Sequence, residues 1–118
     1  LENKEDNLLD LIPEIICRWD KDREGKVYLL VPRFKSPLLR KIGLKLGRSE
    51  WVKIFFDEIG AKSWSLINGK RNIHRIGELL EKDMGESVKP VYDRLSQFMT
   101  ILFKNKFIVF KNYHPKNG

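Results

Sequence analysis

The feature that most constrains this chain is a change of hydrophobic period part-way along it. Before Asp57 three short, dense apolar runs stand out: Ile15–Trp19, Val27–Val31 and Trp51–Phe56. Beyond Asp57 apolar residues instead recur at every third or fourth position. Dense short runs suit strands and the wider spacing suits helices. The first two runs are separated by the charged turn Asp20 to Gly25, which suits a hairpin loop. Val27–Val31 does not alternate with polar residues, so a strand there is expected to be covered on both faces. In the third run Val52, Ile54 and Phe56 share one face.

Between the second and third runs, the segment Pro37 to Leu46 has helical spacing. Leu38, Leu39, Ile42 and Leu46 fall on one face, with Arg40, Lys41 and Lys45 away from it. A basic amphipathic helix can lie on a membrane. Its short length and Gly43 favour a lid whose leucines pack on the outer face of the sheet.

Three helices are expected next. Asp57 suits an N-cap, Ala61, Trp64 and Ile67 keep helical spacing, and Asn68-Gly69 stops the first. Asn72 caps the second, with Ile73, Ile76, Leu80 and Met84 inward and Gly85 at its end. Gly77 in mid-helix costs about 1 kcal/mol against alanine, which points to a close helix contact. Ser87 is expected to cap the third, with Pro90 in its first turn. Its broad stripe is Val88, Val91, Tyr92, Leu95, Phe98, Met99 and Leu102. Phe107–Phe110 reads as a final strand. The result is an α+β fold: a three-stranded antiparallel sheet, a three-helix bundle and a short C-terminal strand. A winged helix-turn-helix is the natural expectation. With 118 residues the chain reads as a single domain, residues 1–12 as an N-terminal arm and 33–50 as a basic insertion.

Charge is unevenly spread. The chain carries a net +7, whereas residues 1–20 hold six acidic and two basic side chains. From Arg33 to Lys53, seven basic residues face a single acid, Glu50. Such a patch can attract nucleic acid, anionic lipid or an acidic peptide, or simply solvate the surface. No apolar run reaches the roughly 18 residues of a membrane span, and no signal-peptide pattern opens the chain. The single cysteine, Cys17, cannot form an internal disulfide and reads as a small core hydrophobe. A cytoplasmic protein fits these features.

Catalytic signals are lacking. His74 and His114 have no cysteine or histidine neighbour at ligand spacing, and His74 reads as an exposed first-turn residue. Glu78, Glu81, Asp83 and Asp93 sit on polar helix faces. There is no phosphate-binding glycine loop, nucleophile elbow or Ser/His/Asp set. The sequence therefore points to a non-enzyme with no cofactor and no metal.

The run Phe56 to Ile73 contains Asp57-x-x-Gly60-x-x-x-Trp64, followed by Gly69-Lys70-Arg71-Asn72. With Ile76-Gly77-Glu78-Leu79-Leu80 and the stretch Val88 to Ile108, it resembles the PqqD family, named for a small protein of pyrroloquinoline quinone biosynthesis. Leu29 to Phe34 is similar to a longer PqqD-like subgroup, so the resemblance spans roughly residues 12–110. Asn72 stands for the usual Thr cap, and Lys106 for the usual Gly before the terminal Phe-Ile.

The resemblance implies a peptide chaperone, the RiPP recognition element of peptide modification pathways. Such a domain binds the leader of a ribosomally made precursor and presents it to a modifying enzyme, often a radical S-adenosylmethionine protein. The leader is added as an antiparallel strand along the third sheet strand, here Trp51, Val52, Lys53, Ile54, Phe55 and Phe56. The resemblance supplies a helical wall of Val91, Arg94, Leu95, Phe98 and Leu102, of which Leu95 and Leu102 read equally well as core. Backbone pairing gives such binding much of its affinity, and pockets select alternate side chains. The rival is a winged-helix nucleic-acid-binding regulator, favoured by a basic pI. Against it, the third helix shows only Lys89, Arg94 and Lys104 among Asp93, Ser96, Gln97 and Thr100. The expected partners are a leader peptide and its modifying enzyme, with no membrane.

Overall fold

The computed structural model describes residues 8–33 and 36–113; expectations for residues 1–7, Phe34, Lys35 and His114 fall outside them. Among the described residues five strands and four α-helices follow in the order β1 (Pro13–Ile15), β2 (Arg18–Lys21), β3 (Val27–Pro32), α1 (Pro37–Lys45), β4 (Trp51–Phe55), α2 (Glu58–Ser65), α3 (Ile73–Met84), α4 (Val91–Lys104) and β5 (Ile108–Phe110). The fold is α+β with two small antiparallel sheets. Its contacts divide it into two compact units, residues Cys17–Asp57 and the segments before and after them.

The middle unit is the sheet β2-β3-β4 together with α1. The β2–β3 hairpin closes through Asp22, whose carboxylate accepts from the Glu24 and Lys26 amides at 2.9 and 2.8 Å. Gly25 supplies the left-handed residue this turn requires, with φ +84°. Val27, Tyr28 and Leu29 are buried in succession, so both faces of β3 are covered there as its unalternating sequence implies.

Helix α1 has clear local limits. Ser36 Oγ accepts from the Leu39 amide at 3.2 Å, and Pro37 follows at the first helical position. At the other end Gly47 has φ +78°; its amide donates to the Leu44 carbonyl and that of Arg48 to the Gly43 carbonyl. This pair of bonds is a Schellman motif. The lid expectation is overturned. Leu38, Leu39, Ile42 and Leu46 are all exposed, and the only buried residue of α1 is Gly43.

The second unit packs α2, α3 and α4 with the two-stranded sheet β1-β5. The run Ile15–Trp19, expected to be one strand, is divided: Ile15 belongs to β1 and Arg18 to β2, in different sheets. Ile16 and Cys17 make the passage between them. Pro13 is tolerated in β1 because hydrogen-bonded pairs fall at 12/111 and 16/107, which turns the Pro13 nitrogen away from β5. Asn72 caps α3, its side chain accepting from the Arg75 amide at 2.8 Å. Gly85 ends that helix with φ +61°.

Ser87 does not cap α4. It lies in a 3-10 turn over Gly85–Val88, and its hydroxyl donates to the Met84 carbonyl at 2.9 Å. Pro90, joined to Lys89 by a cis peptide bond, stands immediately before α4 rather than inside its first turn. Leu80, Val88 and Val91 form a buried cluster with Ile59, Leu66, Met84 and Tyr92 packed against it. Ile73, Ile76, Leu95, Met99, Leu102 and Ile108 are also buried. Lys62 of α2 pairs with Asp83 of α3 at 2.8 Å.

Candidate functional site: the edge of strand β4

Strand β4 pairs with β3 in the register Tyr28↔Phe55, Leu29↔Ile54, Leu30↔Lys53, Val31↔Val52 and Pro32↔Trp51. It is the last strand of its sheet, and β5 pairs with β1 rather than with it. The Phe56 amide donates to the Val27 carbonyl at 3.1 Å, and the Arg33 amide to the Glu50 carbonyl at 2.9 Å. Because antiparallel pairing alternates, residues 50, 52, 54 and 56 direct their backbone groups to β3. Trp51, Lys53 and Phe55 therefore direct theirs to the open edge.

One of those three positions is already satisfied. The Trp51 amide donates to Ser49 Oγ at 3.2 Å, and Ser49 Oγ donates to the Trp51 carbonyl at 3.0 Å. The outward backbone groups of Lys53 and Phe55 have no hydrogen-bond partner among the described residues. Exposed edges of this kind are templates for another strand. Ile54 and Phe55 are 41% and 49% exposed, so the edge is apolar as well as unpaired.

Register also places Arg18, Tyr28, Trp51, Lys53 and Phe55 on one face of the sheet. There cations and rings interleave. The Arg18 guanidinium lies 5.2 Å from the Trp51 ring centre, Lys53 Nζ lies 4.8 Å from that of Tyr28, and Tyr28 packs on Phe55 at 5.3 Å. Each exposed cation–ring contact contributes about 0.5–1 kcal/mol and holds its side chain in place. Val52 and Ile54 occupy the opposite face, as their spacing implies.

Of the helical-wall residues, three are core. Val91, Leu95 and Leu102 are 2–4% exposed in the helical unit, and cannot meet a ligand from there. Their stripe turns inward because α4 must bury one face of a small bundle. Arg94 is exposed and Phe98 half-buried.

His74 is exposed, stacks on Tyr92 at 5.6 Å between ring centres, and lies 3.8 Å from Glu78. Cys17 is half-buried rather than core, and burial pushes its thiol pKa up, opposed by a weaker backbone hydrogen bond. Among the described residues no three His, Cys, Asp or Glu side chains gather into a metal site. No helix among them is long and apolar enough to cross a membrane. What sequence reasoning missed is Ser49, whose side chain closes one end of the edge. A serine two residues before a strand is the only signal, and it is a weak one. Comparison with family models, with curated proteins and with solved structures returns no match for this chain.

Proposed function

We propose that this protein is a non-catalytic, PqqD-like peptide-binding domain that takes up the leader of a precursor peptide as a strand added to β4. The observation that carries the reading is the pair of outward backbone positions at Lys53 and Phe55, unpaired on an apolar sheet edge. An extended peptide would exchange backbone hydrogen bonds with these two residues. Its alternate side chains would contact the face carrying Trp51, Lys53 and Phe55. Presentation to a modifying enzyme, of the radical S-adenosylmethionine type, rests on the family resemblance alone. So do the winged helix-turn-helix description of the fold and the use of α4 as a wall. Within α4, Arg94 and Phe98 are the two wall residues outside the core, and each changed to Ala tests that half of the reading by itself.

The test is titration of candidate leader peptides into isotope-labelled protein, followed by backbone chemical shifts. The expected result is shifts centred on Lys53 and Phe55, with their amide protons gaining protection from exchange. Lys53→Pro removes one outward donor and leaves the β3 ladder in place, so it should weaken leader binding while the fold melts cooperatively. Leader binding at full strength by folded Lys53→Pro would overturn the assignment. Binding to duplex DNA that falls steeply with salt would favour the nucleic-acid reading instead.

A further inference from the structure

We infer that α1 is an interfacial helix that docks the protein on an anionic lipid surface. With 100° between successive residues, Leu38, Leu39, Ile42 and Leu46 fall within one arc about 100° wide. All four are exposed, Leu38 at 67% and Leu46 at 72%. Gly43, the only buried residue of the helix, lies to one side of this arc and leaves it unbroken. The helix is thus buried only at its glycine, beside the arc, while the leucines and isoleucine of the arc, like Leu44 outside it, are open to solvent. Soluble surfaces rarely group large apolar side chains in this way without an occupant.

Charge identifies the occupant. No acid occurs in α1, and Lys41 and Lys45 border the apolar arc. Arg48 follows the helix and is exposed. Glu50, the single acid between Arg33 and Lys53, is engaged by Arg40. Lys41, Lys45 and Arg48 have no acidic partner among the described residues. A second copy of the chain would bring these like charges together, which disfavours self-association. A protein partner would have to supply an apolar channel fitted to these four exposed side chains. A bilayer interface asks only for an apolar face and cations at the level of the headgroups. Because these leucines are exposed rather than packed as a lid, they are available to a bilayer.

The test is sedimentation of the full chain with vesicles of phosphatidylglycerol and phosphatidylcholine in equal parts, beside vesicles of phosphatidylcholine alone. The protein should sediment with the first and not with the second. Lys41→Gln and Lys45→Gln should each weaken binding about five-fold. Leu38→Ser with Ile42→Ser should abolish it, and because both residues are exposed this variant should melt as the wild type does. Two results would overturn the inference: wild-type protein that stays in solution with anionic vesicles, as a surface built for an acidic protein would, or a Leu38→Ser/Ile42→Ser variant that binds them as tightly as wild type. Leader binding at β4 uses none of these side chains, so the two proposals fail separately.

Discussion

Gly77 of α3 lies directly beneath the ring of Tyr92 of α4, so close that a Cβ at position 77 would run into Cε1 of that ring. His74 holds the tyrosine there through both its backbone and its ring. Its hydroxyl donates to the His74 carbonyl at 3.2 Å, and the His74 ring stacks over it. Burial raises the Tyr92 pKa, with smaller contributions from Glu78 and Glu81, so the phenol is neutral when it donates. The glycine whose place in mid-helix looked costly is the residue that admits the second helix.

Gly77→Ala should therefore destabilise the protein despite alanine's better helix propensity. Overpacking costs typically 1–3 kcal/mol, against about 1 kcal/mol gained in propensity. Urea denaturation should show a net loss of about 1 kcal/mol. Repeating the substitution on a Tyr92→Ala background should turn it stabilising, since only the propensity gain is then left.

Lys106 marks the opposite case. It ends α4 with φ +63°, its amide donating to the Phe103 carbonyl and that of Phe107 to the Leu102 carbonyl. This is a Schellman motif with a lysine at the position that favours glycine. A lysine carries a Cβ that this left-handed backbone disfavours and that a glycine lacks. Lys106→Gly should raise stability by about 0.5–1 kcal/mol, the relief of left-handed strain exceeding glycine's greater unfolded entropy. A higher urea midpoint with an unchanged slope is the expected reading.

Ile54→Pro should unfold the sheet, in contrast to Lys53→Pro. The Ile54 nitrogen faces β3 opposite Leu29, which is 1% exposed, whereas the Lys53 nitrogen faces the open edge. Loss of the cooperative melt in Ile54→Pro and its retention in Lys53→Pro would verify the pairing phase deduced for β4. Two unfolded variants would contradict it.

Acid should release α1 only below the ordinary carboxylate range. The hydrogen bond from Arg40 holds the Glu50 pKa low, and the same bond raises that of Arg40. A lowered folded-state pKa means the contribution is complete above the unfolded value, about 4.3 for Glu. It declines as pH falls toward the folded value. Carboxylate chemical shifts should place the Glu50 midpoint below that of an exposed glutamate, and Glu50→Gln should abolish the corresponding change in α1 amide shifts. Both groups are solvent-exposed, so global stability should change little.

Signals that act within a few residues were legible in the sequence. The Asp22 turn and the Asn72 cap rest on side chains that bond the backbone two to four residues away, and Gly25 and Gly85 supply the positive φ beside them. Such bonds form whatever the rest of the chain does. Periodicity likewise told which residues share a face, as with Val52 and Ile54. It could not tell what that face would meet. Leu38 and Leu95 carry the same helical signal, yet one is exposed on α1 and the other buried in the bundle, because burial depends on distant partners. The division of Ile15–Trp19 between β1 and β2 was decided in the same way, by pairing with β5 and β3 from remote parts of the chain. Even the open edge at Lys53 and Phe55 is a consequence of tertiary choice: β5 pairs with β1, and β4 is left with one neighbour.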